Sequence, residues 1–282
     1  MIWPTPRGSG AKPWTNFGNA TSVIWQVSST YDALRVKLQK RMSHGLQILG
    51  AYTFSKSLDT GSTSVQAAFT NSVTNMPYFN SKLRKSLSDF DVRNILSLNG
   101  TWEIPGMTSG TSALQWMTRG WQLGSIVTAQ SGLPFTAIVA GDALGLNSSV
   151  PYNYPDRLKL PGCGNPVDPG NPSSYIKLSC FAAPNPATRL GDAGRNVLIG
   201  PGLVNLDVSL FKNSYVKLLS DTLNIQFRAE FFNVLNHTNF STPLPANSQV
   251  YTVNLALIPS AGNLTSTATT SRQLQFAIKL IW

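Results

Sequence analysis

The sequence predicts an all-β chain, an antiparallel sheet of about seven long strands that forms part of a transmembrane β-barrel. Three observations predict it. Apolar and polar residues alternate with period two in segment after segment, the mark of a strand with two unlike faces. The connections between these segments run short and long in alternation, as the two ends of a membrane barrel require. And 42% of residues are hydrophobic while only 12% are charged, against roughly 25% charged in soluble domains. A water-soluble protein of 282 residues needs charge on its surface, whereas a protein whose outer face is lipid does not. No stretch approaches the roughly 20 consecutive apolar residues of a membrane helix, so a closed barrel is the remaining way to satisfy the backbone in hydrocarbon.

In chain order the strands are as follows. In Leu34–Lys40, Leu34, Val36 and Leu38 alternate with Arg35, Lys37 and Gln39. Leu46, Ile48, Gly50, Tyr52 and Phe54 form one face of Leu46–Phe54. Leu96, Leu98, Gly100, Trp102 and Ile104 do so in Leu96–Ile104. Trp121–Ser131 starts in phase and loses it around Ile126. Asn205–Leu210 alternates through Leu206, Val208 and Leu210. Leu223–Phe231 sets Leu223, Ile225, Phe227, Ala229 and Phe231 against Asn224, Gln226, Arg228 and Glu230. The last segment, Leu274–Trp282, is the clearest, with Leu274, Phe276, Ile278, Leu280 and Trp282 on one face. Val23–Val27 is a candidate eighth strand. Full charges in mid-strand (Arg35, Lys37, Arg228, Glu230 and Lys279) suit a water-filled lumen.

Short connections are expected at Arg41–Gly45 and Asn213–Thr222, a moderate one at Pro105–Gly120, and long ones at Thr60–Val92, Gly141–Leu203 and His237–Arg272. With Trp282 at the periplasmic side, every long connection falls outside the cell. Trp102, Trp121 and Trp282 then lie near inner strand ends, and Tyr52, Phe54, Phe231 and Phe232 near outer ones, as two aromatic girdles.

Cys163 and Cys180 share one long connection. A bridge between them suits an oxidising compartment; the alternative is two separate thiols. No metal or cofactor site and no enzyme chemistry is expected. His44 and His237 fall on opposite sides of the membrane, and a hydrolase built on His237 with Asp142 or Asp192 has little to support it. Asp89 and Asp91 flank Phe90 at a strand start, where weak Ca²⁺ binding is the lesser alternative. Gly191–Gly202 (GDAGRNVLIGPG) lacks the ending of a phosphate loop; its Arg195 would meet either lipopolysaccharide phosphate or a lumen acid. The net charge of +10 is spread thinly. Lys82, Arg84 and Lys85 are candidates for facing lipopolysaccharide, and no basic stripe interleaved with aromatics points to nucleic acid. The first residues lack the apolar core of a secretory leader, so either the chain is not exported or its true start lies upstream.

Several unlike segments, in order, resemble the barrel of TonB-dependent outer-membrane receptors of the Oar-like branch: Tyr31–Asp59, Asp91–Pro105, Gly120–Pro134, Gly191–Phe211, Phe227–Phe240 and the terminal QLQFAIKLIW. The resemblance implies a C-terminal fragment of a barrel of roughly 22 strands, in a Gram-negative outer membrane. Residues 31–282 would be barrel and 1–30 a lead-in. It further implies a plug domain and TonB as partners in the full-length protein, with outer-membrane lipid, lipopolysaccharide and the outer-membrane assembly machinery. That machinery would read the terminal strand through Phe276, Ile278, Leu280 and Trp282 by strand addition. Energy-coupled transport is the implied activity; a self-contained small barrel acting as an adhesin or structural protein is the alternative.

Overall fold

The structure, a computed structural model, describes residues 27–62, 84–141, 153–185, 187, 189–218, 221–243 and 245–282. Lys82, Asp142, most of Val23–Val27 and nearly all of the 1–30 lead-in lie outside the described residues.

Seven long strands form one antiparallel meander: β1 (Ser29–Ser43), β2 (Leu46–Asp59), β3 (Asn94–Ile104), β4 (Trp121–Gln130), β5 (Leu203–Leu218), β6 (Asp221–Phe232) and β7 (Gln273–Ile281). They pair in chain order, and the short strand Ser86–Leu87 adds to the end of β2. Pairing puts like residues beside like. One row runs Leu38, Gly50, Leu98, Val127, Leu206, and another runs Leu46, Trp102, Leu123, Leu210, Ala229, Phe276. The opposite face carries rows such as Lys37, Ala51, Ser97, Thr128, Asn205 and Gln47, Thr101, Gly124, Ser209, Glu230, Gln275. A one-residue slip anywhere would swap the two faces. Apart from a one-residue bulge in β1 between Lys40 and Ser43, the shared parity across the ladders is therefore what makes one face apolar and the other polar from edge to edge.

The two ends of the sheet differ. At one, the turn end, β1 and β2 are joined by His44 (φ 54) and Gly45 (φ 74). This two-residue turn with positive φ at both positions matches the right-handed twist of a hairpin. A side chain on Gly45 would meet the Glu103 carbonyl at 2.7 Å. The β3–β4 connection at the same end holds a short helix, α1 (Ser112–Thr118), capped by Thr111 Oγ1 accepting from the Leu114 N–H. The long connections gather at the other end, the loop end.

Four expectations change. Residues Asn213–Leu218 are strand, with β6 resuming at Asp221, where the sequence suggested a connection over Asn213–Thr222. The pattern breaks there because Lys212 stands on the apolar face and Phe211 on the polar one. The strand persists because Lys212 finds carbonyl partners and Asn213 Oδ1 accepts from Asn224 and Gln226 across the ladder. β4 does not lose phase: Trp121, Leu123, Ser125, Val127 and Ala129 hold one face without a bulge, and Ile126 is an apolar residue on the polar face. Phe232 follows Phe231 and so takes the polar side by alternation, outside the outer girdle. The described parts of the long connections, finally, are not irregular lengths of chain but a packed unit.

The hydrophobic core sits in that unit. Phe135, Ile138, Val139, Tyr154, Tyr175, Ile176, Leu198 and Val250 are buried together there. Among described residues of the seven long strands, the buried hydrophobic side chains reduce to Ala229. The apolar face of the sheet is bare: Leu34 is 61% exposed, Phe276 62% and Ile278 71%. A patch spanning seven strands far exceeds what a soluble monomer leaves to water.

Candidate functional site

The loop-end cap is assembled from residues distant in sequence. Pro134–Phe135 pairs with Leu198–Ile199, Asp156–Arg157 with Phe181–Ala182, and Ile138–Val139 lies parallel to Gln249–Tyr251. Cys163 and Cys180 are bonded, with Cα atoms 5.4 Å apart. The bridge closes the segment whose far side, Val167 and Ile176, enters the core. Gly191 is required where the chain recrosses Tyr154 and Pro155, since a Cβ there would run into their carbonyl oxygens. Arg189 grips Asp156 with both guanidinium Nη atoms, one at 2.8 Å.

The cap is fastened to the sheet by a buried charge cluster. Arg195 donates through Nη2 to Asp59, at the end of β2, and through Nη1 to Asp89 at 3.1 Å and to Ser62 Oγ at 3.2 Å. The side chains of Arg195, Asp59 and Asp89 are 3%, 3% and 5% exposed, so these charges have exchanged water for one another. Asn196 (φ 55) adds donors to Asp89 Oδ1 at 2.6 Å and to the Leu87 carbonyl at 2.8 Å. Its own N–H is received by Thr136 Oγ1. Asp91 accepts the Ser57 N–H, which fixes the start of β3 against β2. Asp89 and Asp91 thus both accept from protein donors. Of the two partners the sequence left open for Arg195, the structure supplies acids, those of the β2 end and its following connection. Asp59, Ser62 and Asn196 are members of the cluster that the sequence reading missed; the one available signal was a lone Arg inside a Gly-rich run. Arg84 is buried and does not face outward, whereas Lys85 is exposed.

Two buried phenols in the cap resist ionisation. Burial pushes the Tyr154 and Tyr175 pKa values up to about 12 each, and the Tyr175 hydroxyl donates to the Ile199 carbonyl at 2.9 Å. An unfolded tyrosine ionises near 10. Above that pH the unfolded cap sheds protons that the folded cap retains, so stability is complete below pH 10 and falls as pH rises from 10 to 12. The expected loss is on the order of 2 kcal/mol per phenol. Near-UV circular dichroism against pH, with phenolate absorbance, checks it. Replacing Cys163 and Cys180 together by Ser should destabilise the same unit by about 2–3 kcal/mol through loop entropy, read as a lower denaturant midpoint of cap unfolding.

On the sheet's polar face, Arg228 bonds Gln226 at 2.6 Å and lies 5.3 Å from the Phe211 ring centre. At the turn end of this face a cleft of about 440 Å³ is lined by His44, Glu103, Gln122, Asn213 and Tyr215. His44 pairs with Ser43 Oγ, and His237, beyond β6 at the loop end, pairs with Asn239. The two are at opposite ends of the sheet. Asp192 accepts the Arg157 N–H at 2.7 Å, and among the described residues no group of acids, His and Cys is placed to hold a metal. On β7, Phe276 and Ile278 stand on the apolar face, and Phe276 stacks on Phe227 at 6.3 Å and meets Phe231 edge-on at 6.4 Å. Trp282 projects past the strand end, 92% exposed.

A family model described as an outer membrane beta barrel domain matches residues 3–275, and the chain belongs to that family. Neither a curated protein nor a solved structure matches it.

Proposed function

We propose that this member of the outer membrane β-barrel family is the C-terminal part of a TonB-dependent receptor, taking part in energy-coupled transport of a ligand across a Gram-negative outer membrane. The observation that carries the reading is the sheet itself, with a bare apolar face backed by a hydrogen-bonding wall. Lipid suits the first and a water-filled lumen the second. The direction of the edges adds to it. β1 and β7 both run from the loop end to the turn end, so they cannot pair antiparallel with each other, and closure needs an odd number of further strands. A barrel of roughly 22 strands would supply about fifteen. The turn end is then periplasmic and the cap extracellular, facing lipopolysaccharide. The plug and TonB are the partners of the whole receptor, and the assembly machinery engages β7. On this reading the part is a transporter's and not an enzyme's.

A second reading rests on the same parity. One further strand, from residues 23–27, would give eight, and a self-contained barrel displaying its cap as an adhesin. Sequencing the coding DNA upstream of Met1 separates the two. An open frame encoding a plug and further alternating strands is the expected result. A stop codon and ribosome-binding site just before Met1 would leave the small barrel and end the transport reading.

A further inference from the structure

We propose that α1, pinned by Lys212, and the exposed Lys40 of the apolar face form a lipid-anchoring rim, which seats the turn end of the sheet in the headgroup layer of a phospholipid leaflet. The inference rests on reading the apolar face as lipid-facing. That face carries Lys40 on β1, opposite Ile48, and Lys212 on β5, opposite Trp121 and Phe227. Both send their ammonium groups the same way. Lys40 Nζ donates to the carbonyls of Ser43 and Leu46, at 3.0 and 2.9 Å, around the β1–β2 turn. Lys212 Nζ donates to the Trp116 carbonyl at 2.8 Å and to that of Arg119, at the C-terminal end of α1. A lysine on a lipid-facing surface lays its stem on the apolar side and carries its charge to the nearest polar layer. Exposed Lys40 does this at the turn end, whereas Lys212, 9% exposed, is covered by α1, whose carbonyls hold its charge at the same end.

The contacts of Lys212 also fix α1 on the apolar face. Its ammonium lies 5.3 Å from the Trp116 ring centre and 5.8 Å from that of Trp121, and Trp121 Nε1 donates to the Met117 carbonyl at 2.8 Å. So held, α1 leaves Leu114, Trp116 and Met117 uncovered, at 39%, 58% and 61% exposure, with exposed Arg119 beside them. Large apolar groups, an indole and a cation on one short helix are the composition of a membrane interface. The helix continues a surface already bare, below Trp102 and Trp121, so its occupant is the one that covers the rest of that face.

The test uses the protein at its full natural length, reconstituted in vesicles of phosphatidylethanolamine and phosphatidylglycerol. Single cysteines carrying a spin label are placed by Met117→Cys on α1, Leu98→Cys on the centre of the apolar face and Ser109→Cys on the exposed approach to α1. The parent protein supplies the background, and Leu114→Cys replaces Met117→Cys should the latter fail to assemble. Collision with oxygen reports lipid, and collision with a nickel chelate reports water. The expected result is that nickel accessibility at 117 is several-fold lower than at 109 and close to that at 98. Equal accessibility at 117 and 109, with 98 still in lipid, would overturn the rim and leave the membrane reading intact. A label at 98 open to nickel would overturn both.

Discussion

Replacing Arg195 by Leu should unfasten the cap, at a cost of about 3–5 kcal/mol. The change leaves two carboxylates, Asp59 and Asp89, buried to 3% and 5% exposure without their shared cation. Breaking one partner out of a buried ion cluster costs far more than the cluster contributes relative to neutral packing. The remedy follows from the same physics. Adding Asp59→Asn and Asp89→Asn removes the stranded charges, keeps their shapes, and should recover most of the loss. Arg195→Lys should fall between, because a single ammonium cannot reproduce the fork that reaches Asp59, Asp89 and Ser62 at once. The readout is the denaturant midpoint of cap unfolding, together with protease cleavage of the segment around Tyr175. Loss of the cap with the sheet retained is expected. Equal damage from Arg195→Leu and from the triple variant would show that Arg195 matters for its packing and not its charge.

How much of this cluster a sequence reading can reach depends on the distance between its members. Asp59, Asp89 and Arg195 come from three separated segments, and nothing within any one of them points to the other two. Their meeting depends on the long connections folding back over the end of β2. The cap's core has the same character. Phe135, Ile138, Ile176, Leu198 and Val250 recur at no fixed spacing, so no periodic signal marks them, and polar, Pro- and Gly-rich stretches between them read as loop. The Cys163 and Cys180 pair was the one local hint of order in that region.

The sheet was legible for the opposite reason. Period-two alternation is a local property, and each strand declares its own faces: Leu223–Phe231 and Leu274–Trp282 needed no partner to be read. The failures lie where one residue departs from its face. Ile126 on the polar side suggested a slip in β4, and Phe211 with Lys212 hid the second half of β5. In both places the ladder continues, between two neighbours at Ile126 and at Phe211–Lys212, and against β6 alone from Asn213 to Leu218, since a paired strand tolerates a misplaced side chain that an isolated pattern cannot explain. The connection between β3 and β4 was read in length only. The seven residues of α1 are too few for helical periodicity to stand out, and its position depends on Lys212, about a hundred residues along.

Adjacent residues on β7 should respond to the same substitution in opposite ways. Phe276→Arg puts a guanidinium on the apolar face near mid-strand, and an Arg at the middle of a lipid face costs about 2–4 kcal/mol. It also removes the ring that stacks on Phe227 and meets Phe231, worth about 0.5–1.5 kcal/mol per aromatic pair, so a total of about 3–7 kcal/mol is expected. Gln275→Arg puts the same group on the polar face directly opposite Glu230. A cross-strand pair of opposite charge contributes about 0.2–1 kcal/mol, so this variant should be neutral or slightly stabilised. Water on both faces predicts otherwise for Phe276 alone: it is 62% exposed, and an Arg there would cost a soluble sheet only the ring contacts. Equilibrium unfolding of the full-length protein in vesicles measures the difference without the assembly machinery. If Phe276→Arg is as mild as Gln275→Arg there, the apolar face does not meet lipid. If it is severe in vesicles and more severe still in cellular yield than its stability explains, Phe276 also acts during assembly, as part of the terminal-strand signal with Ile278, Leu280 and Trp282.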